Sequence, residues 1–392
     1  VEYRERVSAG DGRSAVAVND AVTVRAVKSW RDRRCFQRLP WTIYAGDPNW
    51  VPPILAQERP LLGWGRHPFF DNAEMVTLLA ERRGKVVGRV AVFVNYVHNR
   101  KYDEKRGFYG FFECIDDLAV AHGLFDAGRA WLLQRGMTAW RGPVNPSLNY
   151  TCGLLVDGFG QPPVFLMTYN PPYYSALIED CGFGKAQDLY AYEMDVAILA
   201  KLVERYKPTV MSALEGGGLS VRWLDPSRFD EEIRTYLELY NSALEGTWGF
   251  TPLQEGEVKH IAAELRHVIA PEFVAFAMVG GKTVGAVLAL LDYNQIIRKL
   301  NGRLFPFGLF RLMWGKKRIN VARALTVTML PAFQQSGFAI VLLDRLVEAA
   351  KPWGLTGWEL SWVLESNTNS RGTLGRAGTK LAKTYRIYDR AL

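Results

Sequence analysis

The chain has little cysteine. Cys35, Cys114, Cys152 and Cys181 are scattered through 392 residues with no paired spacing. That argues against a disulfide framework or a cysteine-bound metal and for free, mostly buried thiols in a reducing compartment. The five histidines show no ligand spacing either, so no metal is expected. No apolar run reaches the length of a membrane span, and the N-terminus is polar and charged, without the apolar stretch of a signal peptide. The expected location is cytoplasmic, with peripheral contact at the inner face of the membrane as a further option. Acidic residues are missing from one segment. Gln295–Asn320 holds Arg298, Lys299, Arg303, Arg311, Lys316, Lys317 and Arg318 and no acid, whereas the formal charge of the whole chain is +8. The remainder therefore sums to about +1, and a generally nucleic-acid-like surface is not expected.

What is present in quantity is apolar surface: 48% of residues are hydrophobic and 12% aromatic, enough for large cores in two domains. The chain also repeats itself. Val22–Arg25 returns as Leu219–Arg222 and Gly84–Gly88 as Gly281–Gly285, each 197 residues later; Tyr192 returns as Tyr388 at 196. Several echoes in order at a nearly constant offset point to two copies of one fold. Each copy is expected to open with a strand (Val22–Val27 or Leu219–Leu224) and continue with helical segments near Arg33–Tyr44 or Phe229–Ala243. A hairpin turning on Gly84 or Gly281 comes next, then strand, helix and strand. A Tyr-bearing strand, Leu189–Met194 or Thr384–Tyr388, closes each copy. The expected boundaries are a loose tail at 1–21, a first copy at 22–195, a linker at 196–218 and a second copy at 219–392. Two insertions distinguish the copies: Pro143–Phe165 in the first and the basic segment 295–320 in the second.

In the second copy, Ala324–Leu330 has the alternation of a strand and Pro331 ends it. Gln334-Gln335-Ser336-Gly337-Phe338-Ala339 comes after it, then an amphipathic run, Ala339–Ala350, and a strand, Trp358–Leu364. A glycine-bearing turn between strand and helix offers backbone N–H groups and a helix dipole to an anion. Through Gln334, Gly337 and Ala339 the turn fits Gln/Arg-x-x-Gly-x-Gly/Ala, and it resembles the acyl-CoA pyrophosphate loop of the GNAT superfamily. The order of elements in both copies is similar to that family. The resemblance implies an α/β fold of two tandem GNAT-like modules, each a mostly antiparallel mixed sheet flanked by helices.

The resemblance further implies acyl-CoA or acetyl-CoA as substrate. Thr328, Met329 and Leu330 would meet the pantetheine arm, and Gln334, Gln335, Ser336, Gly337, Phe338 and Ala339 the pyrophosphate. Asn367 would join them or cap the helix that begins after it. Transfer needs a base for the amine and a donor for the leaving thiolate. The first strand offers only Thr326 and Thr328 where many members carry a carboxylate. Glu365, at the end of the neighbouring strand, is the expected base, with Glu113 of the first copy as its rival. Tyr385 or Tyr388 would protonate the thiolate. In the first copy Asp116-Asp117 stand where the pyrophosphate loop would be and would repel it. That copy is expected to have lost acyl-CoA and to shape the acceptor site, or else only to stabilise its sister.

The seven cations of 295–320 interleave with twelve large apolar residues, among them Phe305, Phe307, Phe310 and Trp314. This mixture suits an anionic lipid surface better than nucleic acid; a flap folded onto its own domain is the other reading. Trp41–Phe70 and Ser361–Tyr388 together are similar to a bacterial group of tandem GNAT-like proteins that includes ceramide-synthase-like N-acyltransferases. That implies acyl-CoA-dependent N-acyl transfer to an amine acceptor, a lipid-like one such as a long-chain amino alcohol. Ala339 in place of the usual second glycine is a departure. The competing class is a non-catalytic regulator or binding protein that kept the fold.

Overall fold

The computed structural model describes residues 20–214, 218–334 and 336–392, with the side chains of 209–214 excepted. The tail expected at 1–21, apart from its last two residues, lies outside this range, as do the glycines at 216–217, Glu215 and Gln335. The first half of the chain supplies β1 (Thr23–Ala26), β2 (Ala73–Arg82), β3 (Lys85–Asn95), β4 (Arg106–Cys114), β5 (Ala139–Gly142), β6 (Val144–Asn145), β7 (Thr151–Cys152), β8 (Leu154–Asp157) and β9 (Gly184–Asp195). The second half supplies β10 (Leu219–Trp223), β11 (Val274–Val279), β12 (Lys282–Leu291), β13 (Val321–Met329), β14 (Gly357–Leu364) and β15 (Lys380–Ala391).

One 13-stranded sheet runs through the described residues in the order β1-β2-β3-β4-β5-β15-β9-β14-β13-β12-β11-β10, with β8 paired to β15 off this path. The order is a palindrome of the two copies. Its centre is the antiparallel pair β9–β15, where Leu189 faces Tyr385, residues 196 apart and therefore equivalent. The closing strands have changed places: β15 lies beside β5 of the first copy, and β9 beside β14 of the second. Neither half of the sheet is complete without a strand from the other.

The registers also locate the insertions. Gly88 pairs with Cys114 and Gly285 with Met329, so an offset of 197 on the third strand of each copy becomes 215 on the fourth. The basic segment between β12 and β13 accounts for the jump, and 143–165 brings the offset back to 196 at the closing strands.

Helices cover both faces of the second copy. Ile233, Tyr236, Leu237 and Tyr240 recur with the 3.6-residue period of helix Phe229–Ala243. The first three are buried against Val274, Phe276 and Leu288 on one face of the sheet. On the other face helix Ala339–Trp353 buries Leu342, Leu346 and Val347. The stretch expected as a linker begins as a helix, Val196–Leu214, whose Leu199 and Val203 enter the same core and whose Lys207 pairs with Asp344 at 2.5 Å. Val196, Leu199, Leu202, Val203 and Tyr206 repeat at helical spacing ahead of the run of glycines. No described helix is long and apolar enough to cross a membrane.

Candidate active site

The second copy contains an open V. β13 and β14 run parallel and pair only from Val321–Ala324 against Gly357–Leu360. Beyond that, Thr326–Met329 stays bonded to β12, while Val363 and Leu364 stay bonded to β9. The strand edges that face each other across the gap are left for an extended ligand to pair with. At the far end of β13 the turn reaches helix Ala339–Trp353 through Gly337, whose φ of 79° is left-handed and suits glycine. This helix has no side-chain cap. The N–H of Phe338 reaches Ser336 Oγ at 3.3 Å and that of Ile340 reaches Gly337 O at 3.0 Å; those of Gly337 and Ala339 have no partner among the described residues. Gln334 Nε2 reaches back to Met329 O at 3.4 Å. Thr328 is buried and donates to Ala286 O, and the Leu330 N–H is bonded to Val284 O.

The first copy's V is full. Phe111 N–H donates to Asn145 Oδ1 at 2.7 Å, and Cys114 N–H to the Tyr174 hydroxyl at 2.9 Å. A Cβ on Gly110 would lie 1.9 Å from Val144 O, so the chain after β5 passes directly against β4. The helix after β4, Leu118–Leu133, is capped by Asp117, which also holds Arg82 through two bonds of 2.5 and 3.1 Å. A carboxylate thus occupies the place where the second copy's helix has no side-chain cap.

The apices of the two V's differ in the same sense. Phe108 opposite Arg141 in the first corresponds to Arg323 opposite Glu359 in the second. Phe108 stacks on Phe93, and Arg141 is held by Asp389. Around the second apex, charges are buried. Arg323 Nε donates to Ser361 Oγ at 2.8 Å, and Ser361 Oγ donates to Glu359 Oε1 at 2.8 Å. Lys383 Nζ stands 3.6 Å from Glu359 Oε2, which accepts no hydrogen bond. Arg323 also donates to the carbonyls of Phe165 and Leu166 at 3.1 and 2.9 Å. The end of the first copy's insertion therefore closes over the second copy's apex. Tyr236 Oη shares a 2.6 Å hydrogen bond with Thr326 Oγ1 on the same side.

Each of these ions costs several kcal/mol to desolvate, and well-packed apolar residues would stabilise the fold as well or better. Ions kept at that cost make the apex the candidate site of chemistry. Burial pulls the Arg323 guanidinium below its ordinary value, with Glu359 opposing the shift.

The residues named from sequence divide accordingly. Tyr385 is fully buried, its hydroxyl has no hydrogen-bond partner among the described residues, and burial together with the charge of Glu359 pushes its pKa well above 10. Tyr388 is a core residue of the first copy, donating to Glu179 at 3.0 Å. Asn367 caps helix Thr368–Arg376 by accepting from Ser370 N–H at 3.1 Å. Glu365 sits past the mouth of the V, about one-third exposed, in a 2.8 Å pair with Lys185. Glu113 lies in the filled V of the first copy, several strands and so roughly 20 Å from the second apex.

Sequence reasoning missed Glu359, Arg323, Ser361, Lys383 and Tyr236. The usable signal was charge inside otherwise apolar strands: Glu359 between Trp358 and Leu360, Arg323 between Ala322 and Ala324.

Glu113 has a different consequence. Tyr174 donates to it at 2.8 Å, Arg89 stands 3.6 Å away, and its side chain is only 13% exposed. Burial raises its pKa from 4.5 to about 7, against the pull of Arg89 and the tyrosines. The native state then holds this proton more tightly than the unfolded chain. The resulting stability is complete below pH 4.5 and is lost as pH rises through 7. Glu113→Gln, a neutral mimic, should match the parent near pH 4 and exceed it near pH 8 by on the order of 3 kcal/mol. Denaturant unfolding at the two pH values measures this, and equal stability at pH 8 would refute it.

Among the described residues no group of three or more His, Cys, Asp or Glu is placed to hold a metal.

No family model matches the chain. The "Bacterial ceramide synthase" of Caulobacter vibrioides (strain NA1000 / CB15N) is 35% identical over 388 residues, spanning 96% of this chain and 99% of that one. "Protein YghO" of Escherichia coli (strain K12) is 30% identical over 381 residues, spanning 94% and 95%. Among solved structures, a tandem GNAT protein from the clavulanic acid biosynthesis pathway superposes with a TM-score of 0.53 at 11% identity over 94% of this chain and 98% of its own. A GCN5-related N-acetyltransferase from Sphaerobacter thermophilus gives 0.53 at 15% identity over 95% and 96%. At such identities the structures speak for the fold alone.

Proposed function

The chain belongs to the tandem GNAT N-acyltransferases that include the bacterial ceramide synthase, and from that premise we propose that it joins the acyl group of an acyl-CoA to the amine of a long-chain amino alcohol. The observation that carries the reading is the contrast between the two V's. One is filled by its own chain; the other is open, ends in an uncapped helix and has buried charges at its apex.

Acyl-CoA lies along Val327–Leu330 with its pyrophosphate over Gln334–Ala339. Arg323 and Lys383 place two cations at the apex around the carboxylate of Glu359. That favours the negative charge that develops on the thioester oxygen. Glu359 Oε2, free of hydrogen bonds, takes the proton that the amine loses. The N–C bond forms, the C–S bond breaks, and Tyr385 gives its hydroxyl proton to the leaving thiolate; the proton held by Glu359 then returns to the Tyr385 phenolate, so that both groups end as they began. The first copy contributes the roof of the acceptor site through Phe165 and Leu166. A lipophilic acceptor comes from a membrane rather than from free solution, and 295–320 is the surface suited to meet one.

The test pairs binding with turnover. Acyl-CoA should raise the melting temperature, since a ligand of the native state alone must do so. With sphingoid-type amino alcohol added, free thiol should appear in step with amide. Stabilisation without thiol release would make the chain a non-catalytic acyl-CoA binder, and no stabilisation would remove acyl-CoA from the reading.

A further inference from the structure

The basic segment folds into helices Asn294–Ile297 and Gly308–Gly315 with short 3₁₀ turns, anchored by buried Ile297, Leu300 and Ile319. Ile296, Leu304 and Leu312 are partly buried against the same core, and the other six large apolar side chains face outward. Phe305 is 89% exposed and Trp314 78%, and Phe307, Leu309, Phe310 and Met313 are each more than half exposed. A folded-down flap would have buried these side chains. Beside Trp314 lies a half-open cavity of about 660 Å³, a size typical of a ligand site. Arg298, Lys299, Arg311, Arg318 and Trp314 line it, with Asp292 at its base.

None of the four cations has an ion-pair partner among the described residues, whereas Arg25, Arg82, Arg106, Arg141, Arg222 and Arg386 all do. Asp292 does not supply one. It accepts from Phe165 N–H at 2.9 Å and from Asn294 N–H at 3.2 Å, and burial pushes it up to about 6. The cavity opens by Ile319, before β13, while the pyrophosphate turn comes after the far end of that nine-residue strand. At 3.3 Å per residue the two are roughly 30 Å apart, so the cations do not serve the phosphates of acyl-CoA.

We propose that this cavity receives the phosphate headgroup of an anionic phospholipid while Phe305, Phe307, Phe310 and Trp314 enter the bilayer at the headgroup–acyl boundary. Cations around a cavity that Trp314 also lines, on a segment whose other aromatic side chains are exposed, match the two halves of a phospholipid. The docking rests on the proposed activity and deepens it, because it holds the enzyme where a lipophilic amine resides.

Vesicle flotation of the full chain tests this, with phosphatidylcholine alone and with phosphatidylglycerol added. The wild type should bind the anionic vesicles far more tightly than the neutral ones. Arg298→Gln with Arg318→Gln removes two cavity cations; Lys316→Gln with Lys317→Gln removes the same charge outside the cavity. The cavity pair should bind at least about tenfold more weakly than the control pair, because charge-assisted bonds to phosphate are lost as well as charge. Trp314→Ala should lower binding even in high salt. Equal losses in the two pairs would overturn a headgroup site. So would a wild type that ignores anionic vesicles, or one that takes soluble glycerol phosphate instead. Transfer from acyl-CoA to a short soluble amine without vesicles should be normal in every one of these variants. A wild type that also fails to acylate a long-chain amino alcohol would count against the activity and leave the cavity proposal standing.

Discussion

Glu359→Gln is expected to slow acyl transfer by roughly 100-fold or more, the usual loss when a general base is removed. The amide keeps the volume of the side chain and still accepts the hydrogen bond from Ser361 Oγ. It loses the charge and the lone pairs that take a proton. Lys383 and Arg323, 2% and 3% exposed, would then share the core with no counter-ion. Uncompensated burial of that kind costs about 3–5 kcal/mol, so part of the effect will appear as lost stability. The melting-temperature shift on adding acyl-CoA separates the two effects: a folded variant that still responds but turns over slowly has lost the base. Glu359→Gln with Lys383→Met removes one charge of each sign and should recover stability without recovering rate. Glu365→Gln breaks a partly exposed pair with Lys185 and should leave the rate within about twofold. If Glu365→Gln abolished turnover while Glu359→Gln did not, the base would lie at the mouth of the V and the apex would only position the thioester.

The comparison of Glu359 with Glu365 also bears on what the sequence hid. The two copies were legible because the hairpins around Gly84 and Gly281 carry no insertions, so their offset of 197 survives in the letters. The glycine turn before helix Ala339–Trp353 was legible because it is local: one glycine, here with positive φ, and an amphipathic helix after it. The exchange of closing strands was not. Patterning tells which residues of 184–195 and 380–391 face a core, yet the partner of a strand is set by the whole sheet, and Leu189 opposite Tyr385 is a long-range fact. Helix Val196–Leu214 was obscured by the glycines just beyond its end. The apex was missed for a physical reason as well. A pattern that sends charges to solvent places Arg323 before the strand expected at Ala324 and Lys383 before the strand expected at Thr384. Both are inside strands and buried, because Ser361 meets Arg323 and Glu359 meets Lys383 from β14. A single buried ion reads as a strand boundary until its partners are known.

Gly337→Glu is expected to abolish stabilisation by acyl-CoA. The position has φ near 79°, a conformation that costs a side-chain-bearing residue about 1 kcal/mol or more, so the turn itself would be strained. The larger effect is electrostatic. The turn offers N–H groups at the start of a helix without a side-chain cap, where the dipole favours an anion. A glutamate there presents its own carboxylate to those groups and repels the pyrophosphate. The first copy already displays this arrangement: Asp117 caps its helix and is satisfied by Arg82. Gly337→Ala distinguishes strain from charge, since it carries the φ penalty without the carboxylate and should weaken binding only in part. Asp116→Gln in the first copy should leave the acyl-CoA response unchanged. Thermal melts with and without acyl-CoA read all three variants. A Gly337→Glu protein that melts like the parent and is still stabilised by acyl-CoA would mean that the pyrophosphate lies elsewhere. A lost response in Asp116→Gln would move it to the first copy.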